Sequence, residues 1–145
     1  MAPESTDYRD VSALAVTAGD VVAALEANRR RGVGTVLRVM PPFNGRMRAR
    51  LHRVDAGIGG DADGPAPLHV DPAALVEDVP EYPTPDDTAD RLRAATDTAY
   101  SIEAHRERHA AAVERWRATV AGRIVDAVEL DGPRGTHRVA VTALG

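Results

Sequence analysis

From Arg46 to Val54 the chain alternates: Arg46, Arg48, Arg50 and His52 fall on one side, Met47, Ala49 and Leu51 on the other. A period of two belongs to a strand with one wet and one buried face; no helix satisfies it. Upstream, Val33 to Met40 is rich in β-branched residues: Val33, Thr35, Val36 and Val39. Between the two runs, Pro41-Pro42-Phe43-Asn44-Gly45 contains Asn-Gly, a tight-turn signal, and two prolines that have no place in a central strand. The pattern predicts a β-hairpin with Met47, Ala49 and Leu51 in the core. Its other face would present Arg38, Arg46, Arg48, Arg50 and His52, with Phe43 at the turn.

This hairpin lies inside a segregated charge pattern. Ala27 to Val54 carries eight arginines and no carboxylate, whereas Asp55 to Asp90 carries ten carboxylates and no Lys or Arg. The net charge of −4 conceals the split. Such blocks imply either an anion-binding surface beside an acidic flank or two segments that neutralise each other.

One domain is expected for 145 residues. Residues 1–11 read as a loose polar tail and 12–145 as a single α+β domain. Aromatic residues make up only 3%, so Val, Ala and Leu must fill most of the core. Thr17 followed by Ala-Gly-Asp starts a helix with Val21, Val22, Ala24 and Leu25 as its apolar stripe. Arg29-Arg30-Arg31 suits that helix's carboxyl end, and Gly32 and Gly34 terminate it. Gly57 to Pro67 reads as a loop, and Asp71-Pro72 opens a short helix.

Thr84-Pro85-Asp86-Asp87 is a strong helix start, and helical composition then runs to about Ile124. An unbroken helix of that length would span roughly 60 Å. A compact chain of this size has a radius of gyration of about 15 Å. A break between Thr96 and Ser101 is therefore expected, with Val113, Trp116, Val120 and Ile124 on the core face of the second part. Val128 to Leu130, a turn from Asp131 to Gly135, and His137 to Leu144 form a second hairpin. The fold class is thus α+β: two hairpins making a small antiparallel sheet, packed by an N-terminal helix and a broken C-terminal helical segment.

The eighteen basic residues are all Arg. The absence of Lys and scarcity of Ile, with abundant Asp, Ala and Val, fit a haloarchaeal or a high-G+C actinobacterial source. Two stretches carry a resemblance: Arg38 through Pro41-Pro42-Phe43-Asn44-Gly45 to His52, and the tail Gly132 to Gly145, Gly-Pro-Arg-Gly-Thr-His-Arg-Val-Ala-Val-Thr-Ala-Leu-Gly. They resemble a family of small haloarchaeal proteins of unknown function. The resemblance covers most of the chain and implies a haloarchaeal source; it implies no activity, cofactor or catalytic residue.

Several function classes are disfavoured. With no Cys there is no thiol nucleophile, thiolate metal site or disulfide. Gly32-Val-Gly-Thr precedes a strand rather than linking strand to helix, so it lacks phosphate-loop geometry. His105 and His109 have metal-ligand spacing, but Arg106 and Arg108 oppose a bound cation, and a solvated helix face is the expectation. No base–orienter pair is identifiable, so a non-enzymatic protein without cofactor or metal is expected. The acidic N-terminus lacks a signal-peptide core, and no window is apolar enough to span a bilayer, so a cytoplasmic protein is expected.

Arg38, Phe43, Arg46, Arg48, Arg50 and His52 therefore form the leading site, expected to contact nucleic acid, a ribonucleoprotein or another anionic surface. The arginines supply bidentate phosphate donors, and Phe43 a stacking or wedge residue. The alternative is a protein–protein interaction module. In it these arginines pair with Asp55, Asp61, Asp63, Glu77 or Asp78, within the chain or across a homodimer.

Overall fold

The structure is a computed structural model that describes residues 5–54, 66–95 and 99–145. In chain order its elements are β1 (Ala13–Thr17), α1 (Ala18–Arg31), β2 (Gly34–Val39), β3 (Arg46–Arg48), β4 (Arg50–Val54), β5 (Leu68–Val70), α2 (Pro85–Ala94), α3 (Ile102–Ala121), β6 (Ala127–Gly132) and β7 (Gly135–Leu144). The fold is α+β with antiparallel hairpins. The strands form two sheets, ordered β3-β1-β7-β6 and β4-β2-β5.

The helices begin and end where local chemistry requires. The Thr17 side chain accepts from the Asp20 N–H, and α1 closes on Gly32 at φ 64° with its three arginines in the last turn. Thr84 caps α2 by accepting from Asp87, and Ser101 caps α3 by accepting from Ala104. α2 thus ends at Ala94 and α3 begins at Ile102, so the helical segment is broken as expected, residues 96–98 lying outside the described ones. Val113, Trp116 and Val120 form the buried stripe of α3, and Ile124 packs against the core after the helix has ended. Trp116 donates its indole N–H to the Pro80 carbonyl at 2.9 Å and meets the Tyr82 ring edge-on at 4.9 Å.

The hairpin at 34–54 differs from its sequence-based form. β2 and β4 pair antiparallel, with Gly34 opposite Val54 and Arg38 opposite Arg50. Beyond Arg38 the ladder stops. Pro41 and Pro42, joined by a cis peptide bond, offer no N–H to continue it. Arg46–Arg48 instead becomes an edge strand of the other sheet, parallel to β1, with Ala13 opposite Arg46 and Ala15 opposite Arg48. Ala49 is the crossing point: it is fully buried, and its N–H donates to the Ala15 carbonyl at 3.0 Å.

Leu51 corrects the expected core assignment, being 45% exposed. It lies opposite the fully buried Leu37, but β4 is an edge strand, so its core-side residue sits at the rim of the core. Met47 is half-buried against the core, as the alternation requires.

β1 escaped the sequence reading. Ala-Leu-Ala-Val-Thr is a weak strand signal, yet it is one of the first sheet's two inner strands, parallel to β3 on one side and β7 on the other. Residues 5–11 are not a loose tail. Tyr8 and Val11 are buried, and the Tyr8 hydroxyl donates to the Gly135 carbonyl at 2.6 Å while accepting from the Arg134 N–H at 2.9 Å. Any Cβ at position 132 would meet the Tyr8 ring at 2.4 Å, so this close approach requires Gly132. In the β6–β7 hairpin Val139 and Val141 face the core, while Ala143 is exposed.

Candidate functional site

The second sheet has one core face and one wet face. Leu37, Val39 and Val70 point into the core; Arg38, Arg50, His52 and His69 point away from it. Arg38 lies on the middle strand, directly opposite Arg50 on one side and His69 on the other. Like charges placed directly opposite across strands are destabilising. A guanidinium of Arg38 lies 3.3 Å from His52 Nε2, and the His52 and His69 rings are 5.8 Å apart. A guanidinium is a donor only, so His52 Nε2 accepts. The His69 pKa is lowered, first by burial, then by His52 and Arg38.

Arg46 and Arg48 lie on the first sheet, on its solvent side. Beside them the small residues Ala13, Ala15 and Thr142 leave a shallow depression of about 520 Å³. Burial alternates through the crossing point, with Arg48 and Arg50 exposed on either side of buried Ala49. The Arg46–His52 segment thus carries its cationic side chains across the seam between the two sheets.

Phe43 leaves the site. It is 5% exposed, a core residue whose N–H donates to the Ser5 carbonyl at 2.7 Å, so it offers no ring for stacking. The signal missed in the sequence is His69, the polar member of an alternating Leu68-His69-Val70 that forms the third strand of the row.

Among the described residues no carboxylate forms an ion pair with Arg38, Arg46, Arg48 or Arg50. The described part of the acidic block makes no ion pair with this surface. Asp71 accepts from the Ala73 N–H, Asp86 and Asp87 sit in the first turn of α2, and Asp90 is 4.0 Å from Arg93. Asp55, Asp61 and Asp63 lie outside the described residues.

The other charged cluster is a closed one. Glu26 on α1 is 9% exposed and accepts Arg117 Nε at 2.8 Å, Arg117 Nη2 at 3.0 Å and the Tyr82 hydroxyl at 2.7 Å. The Arg117 hydrogen bonds hold the Glu26 pKa below the usual carboxylate value despite burial. Burial, then the bond to Glu26, pushes the Tyr82 hydroxyl up. Glu114 pairs with the remaining Arg117 nitrogen. Nothing in the sequence singles out Glu26, because its partners are 56 and 91 residues away.

His105 and His109 stack with ring centroids 6.0 Å apart, and both are used between helices. His105 Nε2 donates to the Pro85 carbonyl at 2.9 Å, and His109 Nδ1 is 2.9 Å from the Thr88 hydroxyl. Among the described residues no group of three or more His, Asp or Glu is placed to hold a metal ion, and no helix is long and apolar enough to cross a membrane.

Residues 1–145 match the family described as Domain of unknown function (DUF8009). The chain is a DUF8009 protein. No curated protein and no solved structure matches it. The family brings no activity to the arginine surface, so what that surface does must be argued from its own geometry.

Proposed function

We propose that this DUF8009 protein is a non-enzymatic binding module whose Arg38–His52 surface holds the phosphates of a nucleic acid. The proposed setting is the cytoplasm of a haloarchaeal cell, with a ribonucleoprotein as the larger partner. The observation that carries this reading is the Arg50–Arg38–His69 row, which sets two guanidinium groups, Arg38 and Arg50, opposite each other with no carboxylate beside them among the described residues. Such a row costs the fold stability, and a polyanion supplies the missing counter-charge. Guanidinium groups suit this role at high salt. There the Debye length falls to about 3 Å at 1 M, so only close bidentate contacts count. The shallow depression over Ala13, Ala15 and Thr142 beside Arg46 and Arg48 lets a phosphate backbone approach the sheet.

The test is binding of single- and double-stranded DNA and RNA over a salt series, with the R46A/R48A/R50A triple variant alongside. The expected result is weaker binding for every sequence. The slope of log affinity against log salt should flatten by up to three phosphate contacts, at roughly 0.7–0.9 each. The melting temperature should not fall, because none of the three side chains enters the core. Wild-type protein that ignores all four nucleic acids at low and native salt overturns the proposal. A triple variant that melts earlier without any change in binding supports pairing of the basic and acidic blocks instead.

A further inference from the structure

The two histidines give the cationic row a property that arginines alone lack. Four groups meet on the wet face: Arg50 and His52 from β4, Arg38 from β2 and His69 from β5. Arg48 lies two residues along the same segment from Arg50. Asp71, next to β5, is turned to the Ala73 N–H. Among the described residues nothing negative faces the group.

We infer that Arg38, Arg50, His52 and His69 form a site for one phosphate group, and that filling it draws protons onto the two imidazoles. The inference rests on the anion-binding reading of this surface and adds the identity of the group bound and its coupling to pH.

His52 Nε2 accepts the Arg38 guanidinium at 3.3 Å, which a protonated ring nitrogen cannot do. His69 is disfavoured as a cation by burial and by the neighbouring His52 and Arg38. An oxyanion placed among them reverses both effects. Arg38 turns its N–H groups from His52 to the oxygens, His52 Nε2 is freed to carry a proton, and each imidazolium gains a charged acceptor. Linkage then makes the effect reciprocal. The anion raises the imidazole pKa values, and acid raises the anion affinity. Each proton taken up contributes up to about a tenfold gain in affinity per pH unit between the bound-state and the free-state pKa. Two imidazoles set a maximum slope of two.

The decisive measurement is an NMR titration of the imidazoles in the full-length protein, in sodium chloride and in sodium sulfate at equal ionic strength. Sulfate is a tetrahedral oxyanion whose charge is constant over the range. The expected result is that His52 and His69 move upward in sulfate, while His105, His109 and His137, engaged with Pro85, Thr88 and Val11, do not. No movement of His52 and His69, or equal movement of all five, overturns the inference.

Binding of a single-stranded oligonucleotide between pH 5.5 and 8 is the companion experiment, since its phosphodiesters do not titrate there. Affinity should rise toward acid in the wild type. The H52Q/H69Q variant should lose the slope. The two proposals fail separately. Sulfate-shifted imidazoles with no oligonucleotide binding leave the phosphate site and remove the nucleic-acid reading. Oligonucleotide binding with no pH slope and unmoved imidazoles does the reverse.

Discussion

Two charged clusters of this fold are opposites in construction. Around Glu26, a buried carboxylate is met by two nitrogens of Arg117 and by the Tyr82 hydroxyl. Around Arg38, cations meet cations on an open sheet face. The first ties α1, α3 and the Pro80–Pro83 loop together. The second makes one bond of its own, Arg38 to His52, and by repulsion between Arg38 and Arg50 it weakens the sheet that carries it. A charge that contributes to the fold is one with its partner already in the chain; a charge without one is where a ligand is to be sought. The contrast gives opposite expectations for stability and binding at the two places.

Of the two clusters, the larger effect is expected at Glu26. Glu26→Ala leaves the Tyr82 hydroxyl and one face of the Arg117 guanidinium without an acceptor. The loss of an acceptor for a charged donor costs about 1–3 kcal/mol. Arg117 is 40% exposed, so solvent screening holds the value toward the lower end. Chemical denaturation should show the loss, and nucleic-acid binding at saturating stability should be unchanged. A Glu26→Ala protein as stable as wild type would break the comparison at its buried side.

Acid should act on the clusters in sequence. The folded pKa of His69 lies below its ordinary value of 6.5, so the stability it contributes is present above that value and lost as pH falls through the folded one. The folded pKa of Glu26 lies below 4.5, so its contribution is present above that value and lost as pH falls through the folded one. Melting temperature against pH should therefore decline in two stages. Glu26→Ala should remove the lower and leave the upper, and His69→Gln the converse.

A smaller effect, of opposite sign, is expected at the sheet. Arg50→Thr removes one of the two opposed guanidinium groups and places a β-branched residue on the strand. Stability should rise by about 0.2–1 kcal/mol, the range for cross-strand pairs, while affinity for nucleic acid falls. A residue whose removal strengthens the fold and weakens binding is the signature this reading requires. A loss of stability with Arg50→Thr would show that Arg50 has a partner within the chain, and would favour mutual neutralisation of the two charge blocks.

The sequence made parts of this legible through local signals. The Thr17, Thr84 and Ser101 caps, the break before Ser101 and the β6–β7 hairpin all follow from residues a few positions apart. The period of two from Arg46 to His52 correctly placed the arginines outside and Ala49 inside. What it could not carry was partner choice. Nothing local says that Arg46–Arg48 pairs with β1 while Arg50–Val54 pairs with β2, because β1 lies some thirty residues upstream and reads as Ala-Leu-Ala-Val-Thr. For the same reason Phe43 looked like a turn residue and proved to be core, Tyr8 looked like tail and proved to be a clamp, and His69 went unnoticed until β5 placed it beside Arg38.

Leu51 bears on that lesson most directly. The period of two alone puts it in the core, where Leu→Ala would cost about 2–5 kcal/mol. The structure puts it on an edge strand with 45% of its surface exposed. Little apolar area is then lost on truncation, and no closed cavity forms, since Leu37 beneath it keeps its contacts with Val70 and the helix layer. The expected cost of Leu51→Ala is at most about 0.5–1 kcal/mol. Leu37→Ala, one strand inward on the same face, should cost the full 2–5 kcal/mol. Denaturant midpoints of the two variants compare an edge with a centre at a single cross-strand pair. Equal losses would mean that β4 is covered in the working protein. The cover would lie over the strand that presents Arg50 and His52, and the arginine surface would then be part of an interface between folded chains rather than an open track for phosphates.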